Sequence, residues 1–247
     1  MSLQGRVAVV SGATGGIGSA IARHLAEASA SVVVGYNSKS SEAEALAAAL
    51  PGKGHRAAHM PMQDTAALRE LAAQVQRAYD RCDVLVNCAG FTRMIPHADL
   101  EALNDELIDS IFVANVRGPF ATIRAFAPLM QRTGGAVIVN ISSIAAQSGM
   151  GSNIAYAASK AALDTMSMSL ARVLGPSVRV MTVSPAAVET AFVPGRTHEM
   201  VERMAATSPH KRIVQADEVA QAVMAAVTHL TGTTGAIIPV DGGKRLG

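Results

Sequence analysis

Short runs rich in Val and Ile alternate along this chain with longer Ala-rich runs whose apolar positions recur every three to four residues. The first kind, apolar on successive positions, predicts strands buried on both faces. The second predicts amphipathic helices. Strands are expected over residues 6–10, 31–36, 55–60, 83–87, 136–141, 178–183 and 236–240. Helices are expected over 16–28, 41–50, 64–79, 153–174 and 217–230, with 104–129 largely helical. Strand–helix–strand alternation implies right-handed crossovers and a parallel sheet. The expected architecture is an α/β domain spanning residues 1–247, doubly wound, with a mostly parallel seven-stranded sheet between helical layers. Residues 91–101 and 185–214 carry no regular pattern and read as irregular segments. Loops of that length in a compact domain are usually functional.

Composition narrows the field. With 247 residues, 49% of them hydrophobic, the chain can bury one large core but not two comfortable ones. The net charge of +2 without a basic stripe, and the lack of Trp, argue against nucleic acid as a partner. The start lacks a cationic, cleavable leader, and no apolar run approaches the roughly 20 residues that span a bilayer. A cytoplasmic protein with no membrane partner is expected. Cys82 and Cys88, if on one strand, would stand roughly 20 Å apart, too far to bridge, which suits a reducing compartment. No H-E-x-x-H occurs, and His55 and His59 fall in an expected strand, so no metal site is expected. A serine hydrolase is disfavoured because no G-x-S-x-G elbow is present.

The chemistry begins at the end of the first strand, where Ser11-Gly12-Ala13-Thr14-Gly15-Gly16-Ile17-Gly18 leads into a helix. A tight turn that lets backbone approach a pyrophosphate needs residues without Cβ. The helix N-terminus adds free N–H groups and partial positive charge. A P-loop is excluded, since no Gly-Lys-Ser/Thr follows. Further on, Tyr156 and Lys160 lie four apart in a helical run, on one face. A free phenol has a pKa of about 10, and lowering it by about three units requires roughly 4 kcal/mol of preference for the phenolate. The Lys160 ammonium, with any cation bound beside it, is the source available for that. Tyr156 then serves as proton donor or acceptor at a carbonyl or alcohol. Ser143, just past a strand, would steady the charge on the substrate oxygen.

The spacing Gly12, Gly16, Gly18 is G-x-x-x-G-x-G, and it resembles the opening of the short-chain dehydrogenase/reductase family, with Ser11 in place of the usual Thr. The likeness runs through nearly the whole chain. Asn87-Cys88-Ala89-Gly90 is similar to N-N-A-G, Asn115 to the family's helix Asn, and Ser143, Tyr156 and Lys160 to its S…Y-x-x-x-K set. Asp241-Gly242-Gly243 is similar to the tail after the last strand, and the tract 208–220 to the 3-oxoacyl-carrier-protein reductase and glucose-dehydrogenase-like branch. The resemblance implies a Rossmann fold, an oxidoreductase interconverting a carbonyl and a secondary alcohol, and a homotetramer. It prefers Ser143 over Ser142, gives Asn115 a water relay towards Lys160, and gives Lys160 the nicotinamide ribose as a second contact. The cofactor contacts it implies are Gly12, Thr14, Gly16, Ile17, Gly18, Asn37, Ser38, Lys39, Met62, Asn87, Ala89, Gly90, Tyr156, Lys160, Pro185, Val188 and Thr190.

The end of the second strand separates the two nicotinamide cofactors. Tyr36 stands where NAD-preferring relatives carry Asp, and Asn37, Ser38 and Lys39 offer donors and one charge to a 2′-phosphate, so NADP(H) is favoured over NAD(H). Two departures from the pattern follow. Pro61 replaces an acid that meets adenine, leaving Met62 for the ring and Asp64 as a helix cap. Ala186 replaces the Gly of P-G-x-x-x-T and is expected to narrow the nicotinamide end. Phe91, Arg93, Met94, Met150, Phe192 and Val193 are expected to line the substrate pocket, with Arg93 placed to meet an anionic substrate. Ala158, Ala162, Met166 and Ser169 form a small-residue side of the long helix suited to subunit packing. Three functions fit: a carbonyl reductase such as a 3-oxoacyl-carrier-protein reductase, with an acyl carrier protein as partner and Arg132 and Arg172 as its contacts; a sugar or polyol dehydrogenase; and a non-catalytic nucleotide sensor, supported only by Ala186 and Pro61.

Overall fold

The computed structural model describes residues 2–246. Seven strands form one sheet: β1 Val7–Ser11, β2 Ser31–Tyr36, β3 Arg56–His59, β4 Val84–Asn87, β5 Ala136–Ile141, β6 Val178–Pro185 and β7 Ile237–Val240. Their order is β3-β2-β1-β4-β5-β6-β7, and every adjacent pair is parallel. The expected doubly wound Rossmann sheet is therefore present, fully parallel rather than mostly so.

The Val-rich strands are buried on both faces because alternate residues feed two different layers. Ala8, Val10, Val32, Val34, Val84, Val86, Val137, Val139 and Val183 pack in one core with Ile21 and Leu25 of α1 (Gly16–Glu27) and Val219 and Val223 of α9 (Ala216–Thr228). Val9, Val33, Leu85, Ile138 and Val180 pack in the other with Leu68 and Leu71 of α3 (Thr65–Tyr79) and Phe126 and Leu129 of α5 (Gly118–Thr133). The next rung on that second face is polar. Ser11, Asn87, Asn140 and Thr182 stand side by side across four strands and are buried. Asn87 Nδ2 donates to Asn140 Oδ1 at 2.8 Å, and Asn140 Nδ2 donates to Ser167 on α7 (Ile154–Leu174) at 2.8 Å.

The segment expected to be largely helical over 104–129 is α4 (Asp105–Phe112), a π-helical turn (Val113–Arg117) and α5, which runs on to Thr133. The segment 185–214 is not wholly irregular: it holds α8 (His198–Ala206), capped by Thr197, whose Oγ1 accepts from the Met200 N–H. Met200, Val201, Met204 and Ala205 recur at helical spacing along it, so its apolar side is legible in the sequence although only Val201 is buried. A four-residue helix, α6 (Ala145–Ser148), follows β5, and α2 (Ser40–Ala49) follows β2. Asp64 caps α3 as expected, accepting from the N–H groups of Ala66 and Ala67. No helix of the described residues is long and apolar enough to cross a membrane.

Candidate active site

The strand order reverses between β1 and β4, and in such sheets the crevice at the reversal, outside the strand C-termini, is the binding site. A cavity of 720 Å³ opens there, lined by Gly12 after β1, Ala89 and Gly90 after β4, Ser142 and Ser143 after β5 and Pro185 at the end of β6. A second cavity of 420 Å³ shares Gly12, Asn37, Ala89 and Gly90 with it and adds Met60, Met62 and Phe91.

The glycine loop is shaped by close contacts. Gly12 has φ of +63°, and a Cβ there would stand 2.8 Å from Ala89 Cα. A Cβ on Gly18 would lie 2.3 Å from the Gly12 carbonyl oxygen. One on Gly16 would lie 2.6 Å from Thr190 Cγ2, so the loop after β6 rests directly on the glycine loop. Helix α1 begins at Gly15 without a side-chain cap. Its first N–H groups therefore remain for an anion at the cavity wall. This cradle fits the pyrophosphate of a dinucleotide.

The acid–base residues enter from α7. Asn153 starts that helix: its Oδ1 accepts from the Tyr156 N–H at 2.7 Å, while its Nδ2 donates to the Arg93 carbonyl at 2.7 Å and to Thr92 Oγ1 at 3.2 Å. This buried cap ties the loop after β4 to the turn that carries Tyr156. Lys160, one turn on, is buried, and its Nζ donates to the Ile141 carbonyl at 2.8 Å, standing 5.8 Å from the centre of the Tyr156 ring. Ser143, Tyr156 and Lys160 thus converge on one wall of the large cavity. Ser142 lines it too, but its hydroxyl donates to the Lys160 carbonyl at 3.3 Å.

The lowering expected of the phenol draws on Lys160 and a cationic nicotinamide together; in the chain alone the phenol is raised. Burial pushes Tyr156 up to about 12, against the nearby Ser143 hydroxyl and the Arg196 guanidinium, which both pull it down. Burial also brings Lys160 down to about 8, although Cys88 and Asp164 oppose the fall. With Nζ turned to Ile141, the ammonium does not offset the desolvation of the phenol. The chain alone therefore holds Tyr156 as a neutral acid.

Asn115 sits on the π-helical turn, fully buried. Its Oδ1 accepts from the Phe91 N–H at 2.8 Å, and its Nδ2 donates to the Phe91 carbonyl at 3.0 Å and to Ser159 Oγ at 3.1 Å. The side chain clamps the loop after β4 to α7 rather than reaching Lys160. The Asn87 amide nitrogen is taken up by Asn140, its buried Oδ1 has no hydrogen-bond partner among the described residues, and the residue lines neither cavity. Thr14, Ile17, Asn37, Ser38, Lys39, Val188 and Thr190 all line the large cavity as expected, and Met62 lines the smaller one. No carboxylate occupies the end of β2, where Tyr36 packs on His59. Lys39 is held by Glu42 at 2.9 Å. Ala186 donates its N–H to the Val240 carbonyl, and its φ is not positive, so the methyl sits without backbone strain. Cys88 lines the cavity with a thiol that burial pushes up to about 12, which leaves it inert.

Met150, Phe192 and Val193 line the large cavity, with Phe192 6.1 Å from the Tyr156 ring, and Phe91 lines the small one. Arg93 and Met94 line neither cavity, and both are exposed. The cation beside Tyr156 is instead Arg196, which the sequence reading passed over. Its spacing from β6 within an aperiodic segment carried no signal.

The family model described as enoyl-(acyl carrier protein) reductase matches residues 12–245. The chain belongs to the short-chain dehydrogenase/reductase family. It is similar to a Streptomyces violaceoruber protein assigned as ketoacyl reductase 2 of the granaticin polyketide synthase, 38% identical over 97% of this chain and 96% of the relative. It is also similar to D-threitol dehydrogenase of Mycolicibacterium smegmatis, 36% identical over 99% of this chain and 94% of that protein. A crystal structure of a Burkholderia xenovorans protein assigned to the same family superposes with a TM-score of 0.90 at 31% identity, covering 100% of both chains. As a member of this family the chain is an NAD(P)-dependent oxidoreductase.

Proposed function

We propose that this enzyme reduces a carbonyl to a secondary alcohol, with NADP(H) preferred over NAD(H). The observation that carries the reading is the convergence of Ser143, Tyr156 and Lys160 on the cavity that the glycine loop also lines. When bound, the nicotinamide supplies or accepts the hydride. The glycine loop and the uncapped start of α1 hold the pyrophosphate. Asn37, Ser38 and Lys39 meet the 2′-phosphate, and Thr190, Val188 and Pro185 border the nicotinamide end. Tyr156 gives its phenolic proton to the substrate oxygen, Ser143 donates a hydrogen bond to the same oxygen, and Lys160 faces the resulting phenolate and the ribose. A phenol held neutral suits the reductive direction. Because the Asn115 side chain is taken up by Phe91 and Ser159, the water relay towards Lys160 falls to its backbone.

The ketoacyl reductase relative supports a 3-oxoacyl substrate presented on an acyl carrier protein, and the D-threitol dehydrogenase relative supports a polyol. Arg132 and Arg172, the carrier contacts expected from the sequence, are exposed and do not line the cavity. Assembly as a homotetramer is supported by α7: Ala158 and Ser169 are exposed on the small-residue side, as are the large apolar Met168 and Val173 of the same helix and Phe120 of α5. The backbone at Ala186 is free of strain, while its methyl still lines the cavity, so narrowing of the nicotinamide end stays as a support for the sensor reading. The test is a panel of 3-oxoacyl thioesters, ketones and polyols read by nicotinamide absorbance with NADPH and with NADH. Tyr156→Phe should lose turnover by about 10²- to 10⁴-fold while NADPH fluorescence titration still shows binding. Unchanged turnover in that variant would defeat the mechanism, and tighter NADH binding would defeat the cofactor preference.

A further inference from the structure

We propose that Arg196 selects the substrate by binding an oxyanion, a carboxylate or a phosphate monoester, carried by the molecule whose carbonyl is reduced. This rests on the reading of Tyr156 as the proton donor. The residue belongs to the loop between β6 and α8, and its position is built rather than incidental. Val193 is buried, the Arg196 N–H donates to the Val193 carbonyl at 3.2 Å, and Gly195 makes the turn with φ of +80°. The turn brings the guanidinium into the wall of the large cavity, together with Ser143, Tyr156 and Phe192.

The other cations of that wall each have a protein partner, and two of them, Lys39 and Lys160, are already assigned to the cofactor. Arg203 pairs with Glu199 at 2.6 Å, Arg212 with Glu218 at 2.6 Å, Arg245 with Asp241 at 3.0 Å and Lys39 with Glu42 at 2.9 Å. Lys160 donates to the Ile141 carbonyl and Lys244 to Thr207 Oγ1 at 2.6 Å. Among the described residues, Arg196 has no ion pair and no side-chain hydrogen bond, although it is partly buried. Burial works against its charge, and the Tyr156 phenol is the titratable group it faces. A partly desolvated guanidinium without a partner is a costly arrangement that an arriving oxyanion relieves. Its planar fork donates to two carboxylate or phosphate oxygens at a time. Such an anion beside Arg196 sets the distance and orientation of the carbonyl at Tyr156 and Ser143, so charge recognition becomes positioning.

The experiment compares wild type, Arg196→Gln and Arg196→Lys on paired probes. Pyruvate, acetoacetate and levulinate are each set against their methyl esters, and dihydroxyacetone phosphate against dihydroxyacetone, all with NADPH. Wild type should favour the anion of at least one pair by about tenfold or more in kcat/KM. Arg196→Gln should bring that ratio close to unity through KM, and Arg196→Lys should restore part of it. Preference within the acid–ester pairs assigns a carboxylate, and preference within the phosphate pair assigns a phosphate. Equal use of anion and neutral partner by wild type, or an equal loss on both in Arg196→Gln, would overturn the proposal while leaving carbonyl reduction standing. Weakened NADPH binding in Arg196→Gln with an unchanged ratio would also overturn it, placing the arginine on the cofactor. No turnover of any carbonyl would overturn the underlying reading and this one with it.

Discussion

Replacing Lys160 by Met should make the protein more stable at neutral pH while removing its activity. The buried ammonium has its pKa brought down to about 8 from its ordinary 10.5. A gap of about 2.5 units corresponds to about 3 kcal/mol of destabilisation at pH 7, where the group is forced to be charged in the folded state. Methionine is unbranched and of similar length, so it occupies the same space without the charge. It also leaves the Ile141 carbonyl without its 2.8 Å donor, which costs about 1–2 kcal/mol. The net gain is about 1–2 kcal/mol, or roughly 2–8 °C in Tm for a chain of this size. The sign follows from proton counts. Between about pH 8 and 10.5 the unfolded wild type holds more protons at this position than the folded one, so wild-type stability rises with pH across that window. The variant has nothing to titrate there, so its advantage should shrink and then reverse near pH 10. Scanning calorimetry of both proteins at about pH 7, 8.5 and 10 measures this. A difference that stays constant over that range, or a variant already less stable at pH 7, would refute the account of Lys160 as a charge held at the expense of the fold.

Other outcomes follow from the same geometry. Gly12→Ala should destabilise the fold by more than about 2 kcal/mol in denaturant titration and abolish NADPH binding, because Cβ would collide with Ala89 in a left-handed backbone. Lys39→Glu should move cofactor preference towards NADH by about tenfold or more, read from the two dissociation constants. Glu218→Gln should cost about 0.5–1 kcal/mol at pH 7, since its pair with Arg212 is partly exposed. Glu218 is held at about 2, so its contribution is complete above its ordinary 4.5 and disappears as pH falls through 2, where variant and wild type should unfold alike.

Much of this molecule could be read from its letters, for definite reasons. Strands such as Val7–Ser11 and Ala136–Ile141 are apolar on successive residues because both faces meet a core, which is a loud local signal. The glycine loop and the Tyr156–Lys160 pair have spacings that few other uses require. What escaped was whatever depended on which partner a side chain found. Asn87 and Asn115 carry the family's letters, yet neighbouring chain segments take up their amides. Arg93 and Arg196 look equally like surface charges in the sequence. The first is exposed, while the turn at Gly195 brings the second inward. The phenol's rise rather than fall depends on where Lys160 Nζ points, which no spacing encodes.

The polar rung of Ser11, Asn87, Asn140 and Thr182 acts as an alignment key for the sheet. It lies one step below the loops that carry the glycine turn, Ala89 and Ser143. A slip of β1, β4 or β5 by one residue would rotate its hydroxyl or amide into the Val- and Leu-rich layer against α1 and α9, away from its partners: the backbone N–H groups of Cys88 and Ala89 for Ser11, Asn140 for Asn87, and Ser167 for Asn140. Apolar residues alone would tolerate that slip far better. Three strand ends, those of β1, β4 and β5, are thereby levelled to within one residue, and the floor of the catalytic crevice is set before any of its reactive groups is in place.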